Sequence, residues 1–332
     1  MTGAGTTKAD EPPAGAHDLD EVVRRIRATE SVALACHVHP DGDALGSMLA
    51  LHLALRSAGI SSVASFSEPF VIAPHYRDLA GIDLLTAPAE FPVAPDLMIT
   101  FDCGSIDRLA DLAGPAKSAG DLVVLDHHVS NDRYGSINVI LPDAPATGAI
   151  VLDLIDRLGI PLNRDIAICL YAALVCDTGR FQYDTTTPAV FAMAERLARY
   201  DLPIAHLSRC LFEEHRFAYL QMVGEALGNA QLDEARSFVW TVVTREMLAR
   251  HGVTTDEVEG LIDLVRRTAE AEIACVLKEE TDGSTRVSLR SVGSFDVSRL
   301  ASRFGGGGHR FAAGFTTRED SDAVADQLRA AI

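Results

Sequence analysis

The sequence predicts an α/β protein with two domains: a mostly parallel-sheet domain joined by a helical connector to a smaller α/β domain. The first half of the chain alternates short apolar runs with amphipathic helical stretches, a pattern typical of βαβ units. The second half shows a different order. Segments in which apolar and polar residues alternate, as in strands, lie before and after single helices. The chain has 332 residues, and single hydrophobic cores stop growing at roughly 250 to 300 residues.

Composition places the domain boundaries. Residues 1–16 are rich in Gly, Thr, Ala and Pro and show no apolar period, so we expect a disordered tail there. The parallel-sheet domain is expected over residues 17–200, the helical connector over 201–228 and the smaller domain over 229–332.

The first domain contains near-continuous apolar runs and longer helical patterns in alternation. The predicted strands are Ser31–His37, Ser62–Phe66, Asp96–Asp102 and Asp121–Leu125. The predicted helices are Asp43–Ser57, Thr147–Leu158, Arg164–Val175 and Pro188–Arg199. Thr187 is a suitable N-cap for the last of these, since Pro188 then takes the first helical position.

The helical, charged pattern continues from Ile204 to about Gly228, as a connector would. Two alternating runs follow within Ala230–Val243, and a helix is predicted over Thr255–Thr268. Strands are predicted over Ala271–Lys278 and Arg286–Ser291, before a glycine run and a closing helix.

Charge and hydropathy exclude several classes of protein. No stretch approaches the roughly 18 apolar residues of a membrane span, and the N-terminus lacks a secretory signal pattern, so we expect a cytoplasmic protein without a membrane partner. The net charge of −18 disfavours long duplex nucleic acid, whose binding requires Lys and Arg against phosphates. Small phosphorylated ligands are not excluded, because bound metal cations can reverse the local sign of the field.

The cysteines predict neither a disulfide framework nor a zinc site. None of the six lies in a CxxC pair, so buried, reduced thiols are expected. They are Cys36, Cys103, Cys169, Cys176, Cys210 and Cys275. Strand alternation should turn Cys36 and Cys103 away from the side chains next to them, which argues against thiolate ligation of a metal.

Four clusters of acidic residues and histidines fall at the carboxyl ends of predicted strands, where open parallel sheets form their ligand crevice. The clusters are HVHPDGD at 37–43, FDCG at 101–104, LDHH at 125–128 and VCDTG at 175–179. In the first cluster Pro40 holds His39 extended, Gly42 permits a tight turn and Asp43 occupies the expected N-cap position.

Each acidic residue has a purely structural interpretation when taken alone. Asp43 could cap its helix, Asp102 could close a turn and Asp177 could end a helix. Several carboxylates at one sheet edge would instead repel one another unless a cation neutralised them. Oxygen ligands mixed with imidazole suit Mn²⁺ or a similar ion, and two ions roughly 3.5–4 Å apart can activate water for attack at phosphorus.

The second domain carries a candidate anion site at Gly305–Gly308 and His309. Four glycines could form a flexible hinge. Beside a helix start, however, their backbone N–H groups could approach an anion closely, and His309 and Arg310 would add donors. Arg290 ends a predicted strand and offers either a bidentate phosphate contact or an ordinary solvated surface charge.

Together these motifs resemble the DHH phosphoesterase superfamily, in the branch that carries a DHHA1 domain. The resemblance covers residues 17 to 332 approximately. It rests on 37–43 with the following ALGS, on Asp102, and on the motifs at 126–128, 176–179 and 305–309. The two-domain length is similar to that of oligoribonucleases that also dephosphorylate 3′-phosphoadenosine 5′-phosphate, some of which cleave cyclic di-AMP or its linear product.

The resemblance implies a role for each motif residue. One metal would be held by His37, Asp41 and Asp102. The other would be held by Asp43, Asp102, His127 and Asp177. His128 would contact the scissile phosphate and Asp126 would orient the site. Substrate phosphate and nucleotide contacts would come from Arg290, Gly305, Gly306, Gly307, Gly308 and His309. His39 stands where several relatives carry Asn, and we do not expect it to be a ligand.

The implied enzyme hydrolyses short oligoribonucleotides, 3′-phosphoadenosine 5′-phosphate and cyclic or linear di-AMP to mononucleotides. It uses two divalent ions, with Mn²⁺ favoured and Mg²⁺ or Co²⁺ possible, and it forms a homodimer. A single-strand-specific exonuclease of the same superfamily is the main alternative, which the acidic balance disfavours. A pyrophosphatase would need a different second domain, and a non-catalytic nucleotide sensor would be expected to lack some of the ligands.

Overall fold

The computed structural model describes residues 16–332. The predicted disordered tail therefore lies, apart from Ala16, outside the described residues. The chain divides into two compact units. The first runs to Val71 and resumes over Asp78–Ile204, and the second comprises Ile72–Arg77 and Ala205–Ile332. Among the described residues, no helix has both the length and the apolar character needed to cross a membrane.

The first unit is built on a sheet of five parallel strands. The strands are β1 (Ser31–Cys36), β2 (Ser61–Ser65), β3 (Leu97–Phe101), β4 (Asp121–Asp126) and β5 (Ile137–Ile140), in the order β2-β1-β3-β4-β5. Its helices are α1 (Ala16–Ala28), α2 (Gly42–Ser57), α3 (Ala113–Ser118), α4 (Thr147–Leu158), α5 (Arg164–Asp177) and α6 (Pro188–Ala198). The predicted fold class is confirmed, and β5, α1 and α3 are additional to the predicted elements.

Close packing of α2 against α5 fixes the position of two acidic residues. A Cβ atom placed on Gly46 of α2 would lie 2.5 Å from the carbonyl oxygen of Cys169 in α5, so only glycine allows this approach. α2 carries Asp43 in its first turn, and α5 ends at Asp177. The helix contact therefore helps to bring two acidic side chains from distant parts of the sequence to one place.

The second unit contains a mixed sheet of six strands. Its strands are β6 (Gln231–Asp233), β7 (Phe238–Val243), β8 (Ile273–Glu279), β9 (Thr285–Ser291), β10 (Gly307–His309) and β11 (Ala312–Thr317). Its helices are α7 (Ile204–Phe212), α8 (Phe217–Gly228), α9 (Arg245–His251), α10 (Leu261–Val265), α11 (Val297–Ser302) and α12 (Ser321–Ala331). The sheet order is β10-β11-β9-β8-β7-β6, and β7 and β8 are its parallel pair.

The single helix predicted over Thr255–Thr268 is wrong. The segment forms a 3₁₀ turn at Thr255–Val258 and then the short α10. Thr254 and Glu257 form a capping box at the start of the turn, and Gly260 lies between the two pieces. Glycine has little helix propensity, so the apolar period continues across a break that periodicity alone does not reveal.

The expected helix start beside the glycine run is also wrong. Residues 305–308 follow the end of α11 and lead into the hairpin of β10 and β11. A Cβ atom at Gly306 would lie 2.1 Å from the carbonyl oxygen of Gly314, and one at Gly308 would lie 2.5 Å from that of Ala312. These two glycines are required by the close approach of the hairpin strands.

Candidate active site

Three of the four predicted clusters meet at the carboxyl edge of the five-stranded sheet. His37 follows β1, Asp102 follows β3, and Asp126 ends β4. Because β1, β3 and β4 are adjacent and parallel, these residues emerge at the same edge. The fourth cluster does not follow a strand as expected, because Asp177 is the last residue of helix α5.

The first group of candidate ligands surrounds His37. Its Nε2 atom lies 3.7 Å from Asp102 Oδ2 and 3.9 Å from Asp41 Oδ2. The other ring nitrogen, Nδ1, donates to the carbonyl of Val38 at 2.9 Å. In the neutral ring that hydrogen bond places the proton on Nδ1 and leaves the Nε2 lone pair facing the two carboxylates, as in histidines that bind metals.

The second group surrounds His127. Its Nε2 atom faces three carboxylates. They are Asp177 Oδ2 at 3.4 Å, Asp102 Oδ1 at 3.5 Å and Asp43 Oδ2 at 3.7 Å. Nδ1 lies 3.0 Å from the carbonyl of Ala144 and donates to it, so loss of the Nε2 proton would leave that nitrogen's lone pair for a metal.

The two groups share Asp102, which turns Oδ2 toward His37 and Oδ1 toward His127. Asp102 is buried and has a left-handed φ of 53°, a conformation that non-glycine residues adopt rarely and mostly where function requires it. Two ligand atoms about 2.0–2.2 Å from one ion lie roughly 3.0–3.6 Å apart. The observed separations of 3.4 to 3.9 Å are close to that range, so each group could hold a divalent ion, and Asp102 would offer one oxygen to each.

Asp41, rather than Asp43, is the N-cap of α2, which corrects the sequence-based assignment. The helix begins at Gly42, and Asp41 Oδ1 accepts the backbone N–H groups of Asp43 and Ala44, each at 3.0 Å. Its second oxygen, Oδ2, is the atom that faces His37. One carboxylate therefore caps the helix and still offers an oxygen to the first group.

Asp43 is held by the first turn of α4. Its Oδ2 accepts the backbone N–H of Thr147 at 2.6 Å, and its Oδ1 accepts that of Gly148 at 3.0 Å and the hydroxyl of Ser47 at 2.9 Å. The Thr147 hydroxyl also donates to Asp102 Oδ1 at 3.1 Å. The sequence predicts Thr147 only as the first residue of a helix, although the N–H groups of a helix N-terminus can bind carboxylates.

The crowded carboxylates change one another's proton affinity. Burial and the negative charge of Asp102 raise the pKa of Asp43 well above its ordinary value. Burial raises the pKa of Asp177 to about 6, although His127 opposes the shift. Carboxylates in such a place retain protons unless a stronger cation replaces them.

The pKa of Asp102 is lowered, and the pKa of His127 is raised. Burial would raise the pKa of Asp102, yet the charge of His128 and hydrogen bonds from His127 and His37 hold it well below its usual range. Burial would lower the pKa of His127, yet the surrounding carboxylates, Asp177 first, hold it well above. The cluster thus concentrates negative charge where a divalent cation would be stabilised.

Asp126 fixes the orientation of His128. Its buried Oδ1 accepts the backbone N–H groups of His127 and His128, at 2.7 and 3.1 Å, and the His128 ring Nδ1 at 2.7 Å. Its Oδ2 accepts Asn131 Nδ2 at 2.5 Å, and the same amide also donates to the Cys103 carbonyl. Asn131 lies in a loop, and no pattern in the sequence pointed to it.

The remaining residues near the site have distinct properties. His39 has a left-handed φ of 52°, so the extended backbone expected before Pro40 is wrong, and His39 is absent from the potential ligand groups found in the described part of the chain. All six cysteines are free thiols, as expected. Burial raises the pKa of Cys36 and Cys176 well above the ordinary value and that of Cys103 to about 11, and, among the described residues, none of the potential ligand groups at the sheet edge includes a cysteine.

In the second unit, Arg290 and His309 lie on either side of Ala312. Ala312 of β11 pairs with Arg290 of β9 and with His309 of β10, both in antiparallel register. Directly paired residues point to the same face of a sheet, so both side chains share one face with only a methyl group between them. Arg290 Nη1 donates to the Leu289 carbonyl at 3.1 Å, while its buried Nε has no hydrogen-bond partner among the described residues.

Comparison with known proteins agrees with this geometry. Residues 31–174 match the DHH family, N-terminal domain, and residues 237–332 match the DHHA1 domain. A protein of Thermus thermophilus named bifunctional oligoribonuclease and PAP phosphatase NrnA is 30% identical over 90% of this chain and 87% of its own length. The Bacillus subtilis protein of the same name is 27% identical over 89% of this chain and 91% of its own.

A solved structure shares the fold. An exopolyphosphatase-related protein from Bacteroides fragilis superimposes with a TM-score of 0.84, covers 94% of this chain and 95% of its own, and is 23% identical. The relatives and the two domain matches together establish the class of the protein. The chain belongs to the DHH family, carries a C-terminal DHHA1 domain, and is a metal-dependent phosphoesterase.

Proposed function

We propose that this phosphoesterase hydrolyses short oligoribonucleotides, 3′-phosphoadenosine 5′-phosphate and cyclic or linear di-AMP to mononucleotides. The observation that carries the proposal is the position of Asp102, which offers one oxygen to each of two histidine–carboxylate groups. The names of the Thermus and Bacillus relatives support the substrate class. We further propose that the enzyme forms a homodimer, as the resemblance to its superfamily implies.

Two divalent ions, with Mn²⁺ favoured over Mg²⁺ or Co²⁺, would be held by the two groups defined above. Such a pair of ions supplies an activated water and neutralises charge on phosphoryl oxygens. Mixed imidazole and carboxylate donors support this choice of metal over one that prefers thiolates.

His128 has a separate role in this proposal. Its Nδ1 is committed to Asp126 Oδ1 at 2.7 Å, which orients the ring and leaves Nε2 as the ring nitrogen that can meet substrate. Asp102 and Asp126 raise the pKa of His128 in spite of burial, so the ring is protonated more readily and can donate to a phosphoryl oxygen. Donors of this kind typically contribute ~10²–10³ in rate.

The second unit would hold the part of the nucleotide remote from the reacting phosphate. Arg290, His309 and the backbone of Gly305–Gly308 are the proposed contacts. His309→Ala or Arg290→Ala should then weaken nucleotide binding while bis-p-nitrophenyl phosphate, a small generic diester, is still cleaved. Equal losses on both substrates would place these residues in the chemical step instead.

Two comparisons of kcat/KM test the proposed function. The first compares 3′-phosphoadenosine 5′-phosphate, linear di-AMP, cyclic di-AMP and short RNA with Mn²⁺, Mg²⁺ and Co²⁺. The second is a length series from two to about twenty-four nucleotides at fixed salt. We expect di- to tetranucleotides to react well and oligomers beyond roughly ten nucleotides poorly, because a chain of net charge −18 offers further phosphates little attraction. A rate that held level or rose with length would favour the exonuclease alternative.

A further inference from the structure

A pair of aromatic rings includes Phe181, which follows the candidate metal ligand Asp177 by four residues in the sequence. Phe181, in the loop after α5, stacks on Phe191 of α6 with ring centroids 5.5 Å apart and an interplanar angle of 27°. Phe191 is 56% exposed although it is one of the largest apolar side chains. Phe181 is half-buried, so Phe191 presents the exposed ring of the pair.

The loop that carries Phe181 is tied closely to the end of α5. Arg180 donates its backbone N–H to the Val175 carbonyl at 2.8 Å, and Gln182 donates to the Thr178 carbonyl at 3.0 Å. The Thr178 hydroxyl accepts the Phe181 N–H at 3.3 Å. The chain therefore folds back on the helix end and does not extend away from it.

Covalent geometry limits how far the ring pair is from the site. Phe181 is four residues after Asp177, and four residues span at most roughly 13–14 Å even when fully extended. The folded-back loop shortens that distance. Gly179, Arg180 and Phe181 have consecutive φ values of 55°, 62° and 64°, a left-handed run that non-glycine residues rarely adopt. The backbone of Phe181 therefore lies within that distance of the backbone of Asp177, and this unusual conformation fixes the path between them.

We propose that the Phe181–Phe191 pair is a platform on which one base of the nucleotide substrate stacks. The inference rests on the proposed function and adds a base contact to it. Every base presents a π-face, so aromatic side chains bind single-stranded nucleotides without regard to sequence. The contact also needs no positive charge, which suits a protein in which 47 Asp and Glu outnumber 29 Lys and Arg.

The test compares substrates that differ only in their bases. In the holoenzyme, kcat/KM of Phe191→Ala is measured with linear di-AMP and with the same dinucleotide in which one or both adenines are replaced by abasic ribose. Loss of one stacked base is expected to lower kcat/KM for di-AMP roughly 5- to 150-fold, chiefly through KM. For the doubly abasic dinucleotide, kcat/KM of Phe191→Ala should differ less than twofold from wild type. Phe191→Tyr should retain wild-type kcat/KM for every substrate.

Phe217 provides a matched control, since it is another exposed phenylalanine (74%) and lies in α8 of the second unit. Phe217→Ala should leave all these values unchanged. Equal effects of Phe191→Ala on base-bearing and abasic dinucleotides, or no effect on either, would overturn the platform. A change of oligomeric state of Phe191→Ala in sedimentation would also overturn the platform, because the ring pair would then be a contact between chains.

A binding measurement separates this inference from the proposed function. Fluorescence of a 2-aminopurine dinucleotide is quenched when its base stacks, whether or not the dinucleotide is cleaved. If wild-type protein cleaves none of the proposed nucleotides, the proposed function fails. If it cleaves them but Phe191→Ala quenches the probe as strongly as wild type at equal occupancy, the platform alone fails.

Discussion

The carboxylate of Asp43 accepts the backbone N–H of Thr147 at 2.6 Å, across 104 positions of sequence. The Thr147 hydroxyl also donates to Asp102. One residue at the start of α4 therefore orients a carboxylate from each of two other segments, and both carboxylates face His127. Hydrogen bonds of this kind set the direction of a ligand's remaining lone pairs.

Thr147→Val should weaken Mn²⁺ binding by about 10- to 100-fold, the usual effect of removing a partner that orients a ligand. The substitution keeps the backbone N–H to Asp43 and removes only the hydroxyl to Asp102. Thr147→Ser keeps both and is the control, with affinity near that of wild type. Isothermal titration calorimetry with Mn²⁺ measures the difference. Equal affinities for the Val and Ser variants would show that the hydroxyl does not orient Asp102.

His128→Ala should lower kcat by ~10²–10³ while the metal content stays at the wild-type level, because the ring is proposed to meet substrate. His127→Ala should instead lose metal, since its Nε2 faces three carboxylates. Metal content by inductively coupled plasma mass spectrometry, beside steady-state kinetics, separates the two. Our division of roles is wrong if His128→Ala loses as much metal as His127→Ala.

Gly46→Ala should destabilise the protein by about 1–3 kcal/mol, the typical cost of overpacking. The added methyl would meet the Cys169 carbonyl at 2.5 Å and push α5, with Asp177, away from α2. Gly224→Ala is the matched control, because its Cβ would meet nothing within 4 Å and alanine favours the helix by roughly 0.5–1 kcal/mol. In both thermal and urea unfolding, the midpoint should fall for Gly46→Ala and rise for Gly224→Ala.

His52 should make the protein less stable in mild acid. Its ring is 1% exposed and bonds through Nδ1 to the Ser62 hydroxyl at 3.0 Å. Burial, followed by the charge of Arg56, lowers its pKa to about 4, whereas the unfolded chain should have the ordinary value near 6.5. The unfolded state therefore takes up a proton first as the pH falls, and the free energy of unfolding decreases between about pH 6.5 and pH 4.

Replacing the ring isolates this contribution. His52→Asn retains a polar atom close to the Nδ1 position but does not titrate. The free energy of unfolding is measured by urea denaturation for wild type and His52→Asn. Between pH 7.5 and pH 5, wild type should lose more stability than the variant. A difference independent of pH would mean that His52 has the same pKa in the folded and unfolded states, and a difference that shifted toward wild type in acid would mean that folding raises its pKa.

The sequence identified the parts of the site that depend on local order along the chain. His37, Asp102 and Asp126 each follow or end an apolar strand, and parallel strands bring such positions to one edge whatever their spacing. Helix α1 could also be predicted from the sequence, because Leu19, Val22 and Ile26 are buried at helical spacing. It lies directly after the tail for which no structure was predicted.

Other features depend on contacts that no local pattern encodes. The motif at 175–179 predicted Asp177 as a ligand but not its place at the end of a helix, whose position depends on the contact between Gly46 and Cys169. Thr147 and Asn131 act through hydrogen bonds to residues elsewhere in the fold. The glycine run was misplaced because glycine permits both a helix-start loop and a tight hairpin, and only the facing strand distinguishes them.

The metal stoichiometry of Asp102→Asn tests the central claim most directly. An amide cannot bridge two cations as a carboxylate does, because it lacks the charge that stabilises them. We expect wild type, and the control Asp107→Asn at an exposed position nearby, to bind two Mn²⁺ per chain by mass spectrometry and to hydrolyse linear di-AMP. Asp102→Asn should lose at least one ion and all detectable turnover, whereas full occupancy with undiminished activity would contradict the two-metal site.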